Sequence, residues 1–220
     1  MKTIYLGLEL PASLNRQSVV HYPVIQIVPH SLQRSDIQEG FKEILNYTHL
    51  IMTSKSAVRL FFEALPFFGF NGPDMKERLF LSVGKATTAL LKEYGVRDVH
   101  TAHEEHAEGV VELIEAIGCL DGYFFWPHSA LSRGVLNGYF SENNIRYREC
   151  ILYQTISFQR GPPPALEQGD EIVFTSPSTV NGFLAIYGAF PKNAKLSFKG
   201  TVTQAYAESL GQELQGGNLH

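Results

Sequence analysis

Four short polar turns carry the residues best suited to chemistry. Thr53, Ser54 and Ser56 follow the apolar run Leu50-Ile51-Met52, and Ser176, Pro177 and Ser178 follow Ile172-Val173-Phe174-Thr175. Gly84, Lys85, Ala86 and Thr87 follow Phe80 to Val83, while Gly200 and Thr203 lie in Lys199-Gly200-Thr201-Val202-Thr203. Each turn starts a helix, so it offers unpaired backbone N–H groups and the positive end of the helix dipole. With hydroxyls beside them, such turns are suited to hold carboxylates. Taken singly, each Ser or Thr reads first as an ordinary helix N-cap. Four such turns, found as two pairs, favour one shared cleft for several carboxylates.

The pairs are internal repeats. Thr53, Ser54, Ser56, Val58 and Phe61 match Thr175, Ser176, Ser178, Val180 and Phe183 at one common offset. Gly84, Thr87, Ala89 and Gly95 match Gly200, Thr203, Ala205 and Gly211 at an offset that differs only by a loop's length. Two repeats in the same order indicate a duplicated domain.

The positioning elements follow from periodicity. Apolar residues at helical spacing predict helices over Asp36 to Asn46, Ala107 to Ile117 and Arg133 to Asn143. Short apolar runs predict strands at Thr3 to Leu8, Leu50 to Met52, Phe80 to Val83, Tyr123 to Trp126 and Ile151 to Phe158. Strand, turn and helix in alternation build a parallel sheet covered on both faces. Two extended runs stand apart, residues 19–29 and 149–156; the first carries two prolines, which suit an edge strand. The expected architecture is α/β, with two similar parallel-sheet, flavodoxin-like lobes. Residues 1–18 plus 157–220 form one discontinuous lobe, and residues 30–148 form the inserted one. Residues 19–29 and 149–156 pair as a two-stranded connector that permits hinge motion. In open α/β sheets ligands bind beyond the carboxyl ends of the strands, where all four turns fall.

Composition narrows the function. The chain has 220 residues, 44% of them hydrophobic, and a formal net charge of −4. It can bury a core, and it lacks the basic patch of a nucleic-acid binder. Cys119 and Cys150 read as reduced thiols rather than a disulfide framework. Neither a secretory signal nor a membrane-length apolar run is visible, so a cytoplasmic protein without membrane contact is expected. Gly84-Lys85 lacks the rest of a phosphate-binding loop, and no dinucleotide fingerprint follows the first strand. His103-Glu104-Glu105-His106 reads as a solvated helix start, with no third metal ligand near.

Over nearly its whole length the chain resembles the uroporphyrinogen-III synthase family. The resemblance is carried by Met52-Thr53-Ser54-Lys55-Ser56-Ala57-Val58, Ser82-Val83-Gly84-Lys85-Ala86-Thr87 and Ala107-Glu108-Gly109-Val110, then Leu152-Tyr153-Gln154-Thr155 and Phe174-Thr175-Ser176-Pro177-Ser178. The family often has Phe-Pro-Arg-Gly where Trp126-Pro127-His128-Ser129 stands, but the Arg that follows is kept as Arg133. The family's Ile-Gly-x-Thr-Thr-Ala survives only partly, as Lys199-Gly200-Thr201-Val202-Thr203-Gln204.

The resemblance implies a cyclising lyase of tetrapyrrole (haem) biosynthesis. Its substrate is the linear tetrapyrrole hydroxymethylbilane, closed to uroporphyrinogen III with loss of water and inversion of ring D. It implies no cofactor and no metal, a monomer, and Tyr153 as a proton donor, alongside the turn residues and Arg133 as substrate contacts. Two other classes share parts of the pattern. A two-lobed binding module derived from the family would keep the fold without the chemistry. A signalling domain would need clustered Asp at the strand ends, and Asp36, Asp74, Asp98, Asp121 and Asp170 are scattered.

Overall fold

The computed structural model describes residues 1–11, 14, 18–104 and 106–216, the last five as backbone only. In chain order the elements begin with β1 (Thr3–Tyr5), β2 (Val19–His21), β3 (Ile25–Pro29), α1 (Ser35–Lys42), β4 (His49–Met52) and α2 (Lys55–Ala64). They continue with β5 (Leu79–Val83), α3 (Lys85–Glu93), β6 (Val99–Ala102), α4 (Ala107–Ile117), β7 (Tyr123–Ser129) and α5 (Val135–Glu142). The last are β8 (Arg146–Ser157), β9 (Glu171–Phe174), α6 (Pro177–Tyr187), β10 (Lys195–Phe198) and α7 (Thr201–Gly216).

The chain divides into two compact units. The first joins Met1–Ile27 to the residues from Thr155 onward, and the second is Val28–Gln154. The chain crosses between them inside β3 and β8, which are neighbours in one sheet. Residues 19–29, expected as a single connector strand, instead form two strands with different partners. Val19–His21 runs parallel to β1, whereas Ile25–Pro29 lies beside β8. Pro23 stands at the changeover and has no N–H to give to a ladder. Tyr22 and Val24 still donate to Tyr5 and Leu6 of the first strand, while the Val24 carbonyl already accepts from Phe158.

The first unit holds a parallel sheet in the order β10-β9-β1-β2. Ile4, Leu6, Ile172 and Phe174 from its strands meet Val180 and Phe183 of α6 in one core. Gly182 lets α6 lie directly on the chain at Val24, because a Cβ there would run into the Val24 carbonyl.

The second unit holds five parallel strands in the order β8-β7-β4-β5-β6, with β3 outside β8. Phe124 and Trp126 of β7 pack with Val110 and Ile114 of α4 and with Leu136 and Phe140 of α5. Phe125 of the same strand turns the other way, stacks on Tyr47 and meets Phe41 of α1 edge-on. Burial on both faces is why β7 reads as an unbroken apolar run rather than an alternating one. Each such fully buried aromatic contributes about 1.5–3 kcal/mol.

The two units share one spatial order. Matching them strand for strand sets β1 with β7, β2 with β8, β9 with β4 and β10 with β5. Both sequence repeats fall on matched strands. Along the chain the halves are exchanged: the β1-like pair comes first in one unit and last in the other.

Candidate active site

The switch point of a parallel sheet is the place where successive connections leave in opposite directions, and a crevice opens there at the strands' carboxyl ends. In the second unit it lies between β4 and β7. Their ladder runs only through His49↔Phe124 and Leu50↔Phe125. Beyond it Pro127 has no ladder donor to offer, so the two strands part without losing a hydrogen bond there.

Two hydroxyls meet at this point. Ser54 caps α2: its Oγ accepts from the Ala57 N–H at 3.0 Å. The Tyr153 hydroxyl lies 2.8 Å from Ser54 Oγ. A bulge brings Ser129 level with Tyr153. The β7–β8 register runs evenly to His128↔Ile151 and then jumps to Ser129↔Tyr153, skipping Leu152. The Ala130 N–H closes the bulge on the Tyr153 carbonyl at 2.9 Å.

Tyr153 is 4% exposed. Burial raises its pKa, and the Ser54 and Ser129 hydroxyls partly offset that. The phenol is therefore neutral near pH 7 and available as a donor. Ser54 lies within hydrogen-bond reach of the phenol oxygen in either protonation state.

The remaining turn residues divide by helical phase. Thr53 and Ser56 are half-buried beside the α2 cap. Gly84 starts α3 with φ 77°, a left-handed value that favours glycine, and Lys85 and Ala86 after it are exposed. Thr87 does not face outward. It is 5% exposed and shares the sheet-facing side of α3 with Leu90 and Leu91, three and four positions on. That phase sets the Thr87 side chain on the buried face of the helix, while the turn before it is exposed. Thr88 instead joins a hydroxyl chain, 2.6 Å from Ser82 and 2.7 Å from Thr101, under the start of α3.

In the first unit Ser176 caps α6 in a capping box with Thr179, and its Oγ lies 2.9 Å from Ser178 Oγ. Pro177 fills the first helical position, where no N–H is needed. Gly200, φ 93°, precedes α7, and Thr203 is buried with its hydroxyl turned back to the Lys199 carbonyl at 3.4 Å. The matching switch point lies between β1 and β9, where Gly7 approaches Thr175 so closely that a Cβ would stand 2.8 Å from its methyl.

Arg133 lies before α5 and pairs with Glu108 at 2.8 Å. His106 caps α4 by accepting from the Gly109 N–H, and His103 is exposed; Glu105 lies outside the described residues. Among the described residues no group of three or more His, Cys, Asp and Glu could hold a metal ion. Sequence reasoning missed Ser129 and the group behind it. His128 is stacked on Trp126 at 4.0 Å, its Nε2 lies 3.1 Å from Glu149, and Asn137 donates to the same Glu149 oxygen at 2.6 Å.

Comparison with known proteins places this geometry. The family model for uroporphyrinogen-III synthase HemD matches residues 16–214. The chain belongs to the uroporphyrinogen-III synthase family. Within it, the chain is 26% identical over 172 residues to the "porphyrin biosynthesis protein HemD" of Ruminiclostridium josui. That match takes in 76% of this chain and 34% of the relative, so the chain spans about a third of that protein. The uroporphyrinogen-III synthetase of Helicobacter pylori shares the fold, with a TM-score of 0.67 at 14% identity, over 96% of this chain and 89% of that one. A mutant uroporphyrinogen III synthase from Thermus thermophilus gives 0.64 at 15% identity, over 96% and 89%. No helix among the described residues of this family member is long and apolar enough to cross a membrane.

Proposed function

We propose that this chain is itself a uroporphyrinogen-III synthase. It closes hydroxymethylbilane with loss of water and inversion of ring D, as a cytoplasmic monomer acting on a free small molecule. The reading is carried by the neutral phenol of Tyr153, set beside the Ser54 hydroxyl at the switch point of a family sheet. A linear tetrapyrrole must be folded before it can close, and holding it is an orientation effect. Within the second unit the helix starts at Ser54 and Gly84, with Arg133, supply donors for carboxylates. Tyr153 then gives its proton to the departing hydroxyl, and Ser54 hydrogen-bonds the oxygen left behind. The azafulvene that results is reactive by itself, so the phenol's assistance is modest.

The test is turnover of hydroxymethylbilane followed by isomer analysis. The type III ring is the expected product. Only the uninverted type I ring, which forms without enzyme, would leave the chain a binding module.

A further inference from the structure

The neighbour of Ser129 has no role in that scheme, yet it is unusually well held. His128 is 6% exposed. Its Nδ1 is 2.8 Å from the Ser129 carbonyl and its Nε2 is 3.1 Å from Glu149, so each nitrogen faces an oxygen that can only accept. The ring is clamped flat on Trp126, and Glu149 is fixed in turn by Asn137 of α5. Glu149 is the charged group that faces the ring from β8. The ring nitrogen lends it a hydrogen bond that holds its carboxyl below the usual carboxylate range, with Asn137 acting in the same direction.

The clamp sits on the bulge. His128 is the last residue in regular register with β8, and the next residue, Ser129, is the one brought level with Tyr153. The contact of Nδ1 with the Ser129 carbonyl holds the peptide that follows Ser129. We propose that His128 is a positioning residue: braced by Glu149 and Trp126, it holds the end of β7 so that Ser129 stays level with Tyr153. The kinetic part rests on the function proposed above; the structural part does not.

The test compares His128→Phe, which keeps a ring on Trp126 and removes both ring nitrogens, with His128→Asn, whose amide can still donate to the Ser129 carbonyl. Two readouts are taken on each: turnover of hydroxymethylbilane, and the NMR shift of the Tyr153 ring carbon that bears the hydroxyl, assigned with Tyr153→Phe. His128→Phe is expected to lower kcat about tenfold, the scale of a small misplacement, with KM little changed, and to move the Tyr153 signal. His128→Asn should keep both near wild type. A folded His128→Phe with wild-type kcat and an unmoved Tyr153 signal overturns the role, and so does a His128→Asn that falls as far as His128→Phe. Should His128→Phe not fold, His128→Asn set against Ser129→Ala decides by the same two readouts. Wild-type protein that makes no type III isomer defeats the proposed activity, and the Tyr153 signal still decides the positioning role.

Discussion

The hydroxyls of Tyr153 and Ser54 stand 2.8 Å apart although 99 positions of chain separate them. One is the phenol at a strand bulge; the other is the cap of a helix. Each therefore has a structural duty as well as a place at the site, and the two duties can be separated by experiment.

Tyr153→Phe removes the donor and keeps the ring. Turnover is expected to fall by more than about twofold and by less than the 10²-fold of a full general acid. KM should change little, because the loss lies in the transition state. Steady-state kinetics with isomer analysis checks this, and turnover at the wild-type level would leave an orienting cleft without an acid.

Ser54→Ala removes the cap on Ala57 along with the partner of the phenol. Stability should drop by about 1 kcal/mol, read from denaturant unfolding. In combination with Tyr153→Phe the effects on kcat should be less than additive, since both changes break one hydroxyl pair. Additive losses would separate the serine from the tyrosine.

Thr87→Ala and Ser176→Ala should behave differently. The Thr87 side chain is buried under α3, so its loss lowers stability by about 1 kcal/mol and leaves substrate affinity near wild type. Ser176 caps α6 and bonds Ser178 at the strand ends. Its loss should weaken binding by about 0.5–1.5 kcal/mol for a neutral hydrogen bond. Equilibrium binding beside thermal melts distinguishes the two, and a Thr87→Ala protein with the larger affinity loss would return that hydroxyl to the site.

Asp170 is expected to contribute to the acid sensitivity of the first unit. Its carboxylate accepts from the Lys2 and Glu167 N–H groups, both at 2.9 Å, and these hold its pKa below the usual carboxylate range. A depressed folded pKa stabilises at pH values above the unfolded one, and that contribution is lost as pH falls through the folded value. Wild-type stability should therefore decline below about pH 5. Asp170→Asn should be less stable at neutral pH and flatter across the acid range. Parallel slopes in urea titrations at several pH values would remove Asp170 as the cause.

Much of this was legible before any coordinates. Short apolar runs ending in Thr-Ser or Gly mark strand ends and helix starts by local rules, so the capping serines Ser54 and Ser176 were found where the sequence placed them. Helical phase is legible too: the spacing of Thr87 to Leu90 and Leu91 turns it inward. What was hidden depends on pairing. Residues 19–29 look like one extended run, and only the choice of ladder partner on either side of Pro23 divides them. Ser129 comes level with Tyr153 because β8 carries one extra residue, and a one-residue bulge leaves no mark in hydropathy. His128, Asn137 and Glu149 lie on β7, α5 and β8, at spacings that match no motif.

The exchanged order of the halves has a consequence for biosynthesis. The second unit is one continuous stretch, whereas the first closes only when β9 meets β1. On a ribosome β1 and β2 emerge ahead of the other unit, and the whole of that unit is made before their partner appears. At bacterial or eukaryotic elongation speeds that wait is on the order of ten seconds. For that time the apolar Ile4 and Leu6 have no sheet to enter, while the later unit can finish folding ahead of the earlier one. The waiting first unit is most exposed to misassembly at β1.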